Sequence, residues 1–330
     1  MKDRPIMDND RKKIRAARIS MATATGLTLV KLTTGLLTGS MAVMSSAIDS
    51  LLDILMSGAN YLAIRQATQP PDSKHPFGHG KFETLATIIQ SVVIGASGLW
   101  VMVESVRRLL AGVELGNLQG GIAVLAGSAV VSWKVSRFLV KTARETDSSA
   151  LQADSLHFSM DVYTNLALLV GLVLITWFGI AWLDPVLSIV VALYIFYQAF
   201  GLVRYGLRDI LDERLPDTLR EEITQVLEAH RKDLLGYHRL RTRRAGSQKI
   251  IDFHLTLCKF LSVEEAHAIA DHLELRIKQR IPGADVTIHV EPCVLDQCPG
   301  YESCPGRQDS PKGRASFLAA SGQDRLQSGD

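Results

Sequence analysis

The chain reads as a six-helix all-α transmembrane bundle followed by a small cytoplasmic α+β domain. Three observations predict this. First, six apolar blocks fall at roughly 19–38, 43–65, 84–106, 119–139, 153–178 and 184–204, each near the roughly 20 residues that span a bilayer. Second, Lys and Arg gather on alternate links between the blocks. Third, the last third changes character, with charged residues throughout and short apolar periods in the order α-β-β-α-β.

The amino end carries Lys2, Arg4, Arg11, Lys12, Lys13, Arg15 and Arg18. No small-residue cleavage site follows the first block, so residues 1–18 read as a cytoplasmic arm rather than a signal peptide. Arg65, Lys74 and Lys81 flank the link after block two, and Lys134, Arg137, Lys141 and Arg144 the link after block four. The opposite links "LTGSMA" and "FGIAWLDP" hold no Lys or Arg, and only Arg107 and Arg108 break the pattern. The positive-inside bias therefore puts both termini in the cytoplasm of a multi-pass protein of the cell's inner membrane. The same bias accounts for the net charge of +2 without any nucleic-acid partner.

The transmembrane domain is expected over 19–207 and the cytoplasmic domain over 208–292. Within the latter, Pro216 opens a helix over about 217–231. Strands follow near 237–244 and 249–257, then a helix over about 262–281 stopped by Pro282-Gly283, then a strand near 285–291. Residues 293–330 are rich in Gly, Ser, Gln, Asp and Arg, and a disordered tail is expected. Cys258, Cys293, Cys298 and Cys304 all fall on the cytoplasmic side, where disulfides are not expected. The C-x4-C-x5-C run of the last three does not match the usual CxxC zinc spacing.

Block two contains "SSAIDSLLDILMSG", in which Asp49 and Asp53 are the only charges between Val43 and Ile64. Four residues apart on a helix, they share one face about a turn from each other. Block five contains "HFSMDVYTN", where His157 and Asp161 repeat the spacing. A charged side chain at mid-bilayer costs about 2.5–3.5 kcal/mol on insertion scales, so four ionisable groups require a compensating partner. Pairing with Lys31 of block one is the plain alternative; a divalent cation satisfies all four. Three carboxylates and one imidazole suit tetrahedral Zn2+, and the sulfur-free set also tolerates Fe2+, Cd2+, Co2+ or Mn2+. Ser45, Ser46, Ser50, Asn60, Tyr163 and Asn165 lie near these faces as candidate supporting donors. An imidazole titrates near pH 6.5 and binds metal only when neutral, so metal and protons compete for such a site.

With these residues in view, the sequence resembles the cation diffusion facilitator family, in its bacterial zinc and ferrous-iron efflux branch. The marks are "DSLLD", "HFSMD" and the loop "DSKHPFGHGKFE", and the resemblance covers roughly residues 15–293. It implies a homodimer in the lipid bilayer that exchanges divalent metal for protons by alternating access. Its transport site falls on Asp49, Asp53, His157 and Asp161, with Leu156 at the position of a hydrophobic gate. It implies a second metal site at Asp72, His75 and His79 in the loop. It further implies a binuclear zinc site in a cytoplasmic domain of ferredoxin-like, metallochaperone-like fold, at His238, His254, His267, His289 and Glu291. The chain departs from the pattern at Glu291, where the family has Asp. Lys81 and Asp212 match a charge interlock between loop and connector in the dimer.

Two other functions fit parts of this pattern. An intramembrane metalloenzyme would need an open metal position and a general base, and no HExxH-type motif occurs. A membrane metal sensor or receptor would bind the same ions without moving them. A secondary transporter, not an enzyme, accounts for all three motifs together.

Overall fold

The computed structural model describes residues 4–38, 41–111, 122–178, 182–231 and 234–294. Met7–Leu211 form one compact unit, and the described residues from Asp212 onward, with Arg4–Ile6, form a second.

The first unit holds six long helices among the described residues: α1 Arg4–Thr38, α2 Met41–Ala67, α3 Lys81–Ala111, α4 Ile122–Thr146, α5 Ser149–Phe178 and α6 Leu183–Ile210. The basic residues from Arg4 to Arg18 lie in the first turns of α1. No Gly or Pro interrupts the run between Ile6 and Gly26, and Lys13 anchors that stretch, with Nζ 3.1 Å from Glu83 Oε2.

The unit is inverted relative to a soluble protein. Leu29, Leu36, Leu52, Leu55, Ile89 and Trp100 lie exposed on its outside, while Ser20, Ser57, Asn60, Thr87, Gln90, Asp154 and His157 are buried within. Hydrocarbon solvent explains that distribution: apolar side chains gain nothing by leaving lipid, and polar ones must find one another inside. α3 and α6 are each long and apolar enough to cross a membrane. They pack closely through small residues, since a Cβ on Gly206 would stand 2.5 Å from Ile88 and one on Gly98 3.3 Å from Ile195. α4 packs along α5, and α5 also meets α2, α3 and α6, so α5 lies where side chains from the other helices converge.

The second unit contains α7 Asp217–Ala229, β1 Gly236–Ala245, β2 Gln248–Leu257, α8 Val263–Arg280 and β3 Ala284–Pro292, the α-β-β-α-β order of the sequence reading. The sheet order is β1-β2-β3, with β1 antiparallel and β3 parallel to β2. Gly246, at φ 65°, makes the turn between β1 and β2. A capping box at Ser262 and Glu265 starts α8, which supplies the crossover that a parallel pair needs. Alternate β2 residues Ile251, Phe253, Leu255 and Leu257 pack with Ile223 and Leu227 of α7 and Leu273 and Ile277 of α8. The helices therefore cover one face of the sheet, and the intervening residues, His254 among them, project from the other.

Candidate metal centres

In the helical unit, α2 and α5 bring Asp53, His157 and Asp161 together, with one ligand atom from each within 4.8 Å of the others. The i,i+4 spacing on α5 puts His157 and Asp161 on one face, and that face meets α2 at Asp53. His157 is buried and Asp53 is 22% exposed at its side chain. His157 Nε2 lies 3.0 Å from Asp53 Oδ1. Donor atoms around a tetrahedral ion with bonds of about 2.0–2.1 Å stand roughly 3.3 Å apart, so the set needs only a small contraction to enclose one. Asp49 belongs to α2 one turn before Asp53, but its side chain lies outside the described residues, as do those of Ser45 and Ser46.

The surrounding residues divide. Lys31 is buried and donates to Ser50 Oγ at 2.8 Å, while Thr28 Oγ1 donates to the Ser50 carbonyl at 2.8 Å. Lys31 thus has a hydroxyl partner on α2. Asn60 Nδ2 donates to the Ala150 carbonyl at 3.3 Å, joining α2 to α5. Tyr163 instead turns away from the site onto Tyr194 of α6, ring centroids 5.5 Å apart. Leu156 packs with Met160 and Val191 against Ile94, Ile195 and Ala199, on the side of α5 that meets α3 and α6.

The loop between α2 and α3 gathers its three residues by turn chemistry. Asp72 Oδ1 accepts from the amides of Lys74 at 2.8 Å and His75 at 2.6 Å, and Gly78, at φ 81°, reverses the chain. His75 Nδ1 then lies 3.2 Å from Asp72 Oδ1, and His79 Nε2 lies 3.2 Å from Asp72 Oδ2. The two rings stand 4.6 Å apart. The amide of His75, then that of Lys74, holds the Asp72 carboxyl below its usual range. His79 is buried with its Nδ1 unpaired among the described residues.

In the second unit the sheet register does the assembling. His238 pairs with His254 across β1 and β2, and His254 with His289 across β2 and β3. Three imidazoles therefore form a row on the open face, with centroids 5.1 and 4.8 Å apart, close to the spacing of neighbouring strands. A bulge between His238 and Arg241, with Arg239 at φ 54°, adds one residue to β1 and so changes which face its side chains meet on either side of it.

Glu291 lies two residues after His289 on the same face. Its longer side chain spans the row, with Oε1 2.7 Å from His254 Nδ1 and Oε2 3.3 Å from His238 Nε2. The His254 contact in particular holds the Glu291 carboxyl below its usual range. His289 stands farther off, at 3.8 Å from Glu291. His267 does not join the group: it is exposed on α8, 3.6 Å from Asp271.

Lys81 opens α3 in the first unit. Asp212, at φ 55°, begins the second and accepts from Arg243 Nη1 at 3.3 Å. Cys293 is buried at the end of β3, its amide bonded to the Leu257 carbonyl at 2.9 Å, so it packs with the domain. Cys298 and Cys304 lie outside the described residues.

Two polar groups had no place in the sequence reading. One is the buried Lys13–Glu83 pair, and the other is Asp154, fully buried three residues before His157. The signal for Asp154 was present in "QADSLHFSMD", where it shares a helical face with His157.

Comparison with known proteins accords with this layout. Residues 17–211 match the family pattern "cation efflux transmembrane domain" and residues 215–293 match "cation efflux protein, cytoplasmic domain". The cation-efflux pump FieF of Salmonella newport strain SL254 is 36% identical over 281 residues, spanning 85% of this chain and 93% of that protein. The pump of the same name from Salmonella typhimurium strain LT2 gives the same figures. Among solved structures, the metal-bound C-terminal domain of the CzcD transporter from Thermotoga maritima is 30% identical. It covers 24% of this chain and 93% of its own, with a TM-score of 0.23. Matched across both domains and along most of its length to efflux pumps, the chain belongs to the cation diffusion facilitator family of membrane cation transporters.

Proposed function

We propose that the protein exports divalent metal ions, zinc foremost, from the cytoplasm in exchange for protons, by alternating access in a homodimer. The observation that carries this reading is the meeting of Asp53, His157 and Asp161 between α2 and α5. Asp49 is assigned as the fourth ligand by its place one turn from Asp53. The mixed oxygen and nitrogen set favours zinc through its imidazole, and Fe2+, Cd2+, Co2+ and Mn2+ fit less selectively. These ions are cargo. The same donors accept protons, so protonation from the outer side expels the ion and deprotonation towards the cytoplasm readies the site for the next.

The other two groups serve as resident metal sites in this reading. Asp72, His75 and His79 offer three ligands in the loop. Glu291 with His238 and His254 forms the centre of the cytoplasmic site, with His289 at its edge; His267, apart from them on α8 in this structure, would move in as a further ligand when metal binds. A metal there would tighten the dimer and bias one membrane conformation over another. Leu156 serves as the gate beside His157, and Lys81 with Asp212 as the interlock. The domain limits at 19–207 and 208–292 and the cytoplasmic placement of both termini belong to the same proposal.

A membrane metal sensor would bind the same ions without moving them. Sealed proteoliposomes carrying an entrapped zinc dye separate the two: an imposed pH gradient drives zinc across the bilayer for a transporter. Metal binding without gradient-driven movement would leave the sensor.

A further inference from the structure

His230 caps the end of α7, and His272 stands in the middle of α8, the helix that packs beside it. Both residues are half-buried. Their rings meet edge to face with centroids 5.1 Å apart, and their Nε2 atoms lie 3.2 Å from each other. The pair is separate from the histidine row, because α7 and α8 cover the opposite face of the sheet. His267, five residues before His272, is turned from it by about 140° around α8.

The contacts around the pair assign what each nitrogen carries. His230 Nδ1 lies 2.7 Å from the Val226 carbonyl. A carbonyl can only accept, so Nδ1 holds the proton and Nε2 of the neutral ring presents a lone pair. The Arg276 Nε–H, which can only donate, lies 3.4 Å from His272 Nε2 and assigns a lone pair there as well. Two lone pairs so close repel unless a positive centre joins them. A proton moved onto His272 Nε2 would do so as an N–H···N bond; a divalent ion would do so too, and would displace that proton.

Three features fit the ion. Tetrahedral zinc with bonds of about 2.0–2.1 Å holds its nitrogens roughly 3.3 Å apart, so a separation of 3.2 Å asks for almost no movement. The C-terminal end of a helix favours positive charge, and His230 is that end of α7. The Val226 carbonyl also fixes the ring through its other nitrogen, as the outer partner of a ligating imidazole does. Arg276 works against the ion, but its side chain is exposed and can swing aside. Two imidazoles leave the remaining positions to water, so binding is weaker than at a site with three or four protein ligands.

We infer that His230 and His272 form a two-imidazole site for a borderline divalent cation such as Zn2+, Ni2+ or Cu2+, which clamps the last turn of α7 to α8. The site stands independently of the transport reading.

Hydrogen exchange in the full-length chain, titrated with zinc at neutral pH, tests it. The amides of His230 and Arg231 close the end of α7 on the carbonyls of Leu227 and Glu228, at 3.1 and 3.2 Å. Zinc stabilises the clamped turn by a factor of one plus the ratio of free zinc to Kd, so exchange there slows about tenfold when free zinc is about ten times Kd. His272→Gln loses this slowing. The Gln amide can still donate to His230 Nε2, so a purely hydrogen-bonding role would survive the change. His254→Ala, which disables the sheet row, keeps the slowing and so separates the two sites.

Arg276→Ala removes a competing cation and moves the zinc midpoint to lower concentration, and this variant carries the test if His272→Gln fails to fold. No slowing in wild type overturns the site. Full slowing in His272→Gln, its loss in His254→Ala, or an unmoved midpoint in Arg276→Ala overturns it equally.

Discussion

His157 Nε2 stands 3.0 Å from Asp53 Oδ1 across the α5–α2 contact. The second carboxylate, Asp161, lies one turn along α5, and one ligand atom from each of the three falls within 4.8 Å of the others.

Replacing that imidazole alters selectivity before it abolishes binding. In His157→Asp an all-carboxylate set favours harder cations. The ratio of zinc to manganese flux in competition assays is expected to fall about tenfold. An unchanged ratio would count against His157 as a ligand.

Lys13 and Glu83 form an ion pair with side chains 2% and 1% exposed, tying the first turns of α1 to the start of α3. Removing one partner leaves a buried charge uncompensated, at a cost of about 3–5 kcal/mol, whereas an apolar pair of similar volume restores much of the loss. Lys13→Met alone should lower thermal stability markedly, and Lys13→Met with Glu83→Leu should recover most of it. Additive losses in the two single variants would show that no coupled pair exists.

The loop group carries a pH signature. The Asp72 carboxyl sits below its usual range through its accepted amides, so the turn it stabilises is fully supported above the ordinary Asp value of about 3.9 and weakens as pH falls through the lowered one. Hydrogen exchange at the amides of Lys74 and His75 is expected to stay protected at pH 5 and to lose protection only at a pH below the ordinary Asp value. In Asp72→Ala that protection should be missing at neutral pH as well, and loop-bound zinc should be lost with it.

Glu291 reaches both His254 and His238 through its two oxygens. In Glu291→Gln the shape survives but the charge does not, and zinc affinity of the cytoplasmic site is expected to fall about 10- to 100-fold. Calorimetric titration of the full-length chain reads this directly. Affinity equal to wild type would make Glu291 a bystander.

The helices were legible because hydrocarbon leaves few options: a run of apolar residues with Asp49 and Asp53 inside it can hardly be anything but a polar-lined span. The small domain was legible because Pro216, Pro282-Gly283 and a change of period marked its elements. The sheet row was less so. A lone histidine on a strand says little, and only the register of His238, His254 and His289 shows that they are neighbours. The bulge after His238, which sets that alignment, leaves no mark in "HRLRTRR" that a non-glycine at positive φ would reveal. Asp154 stands outside the i,i+4 pairs, and its partners Ser20, Gln90 and Asn60 come from other helices. Tyr163 shares the segment but not the face, since two residues beyond Asp161 a helical side chain is turned by about 200°.

Zinc flux into proteoliposomes under a fixed pH gradient, compared among wild type, Asp53→Ala, Asp161→Ala and His254→Ala, probes the α2/α5 assignment most directly. The two membrane variants are expected to lose flux by about 100-fold or more, while His254→Ala, altered only in the cytoplasmic row, keeps a substantial rate. Wild-type flux in Asp53→Ala or Asp161→Ala would place the travelling ion somewhere else.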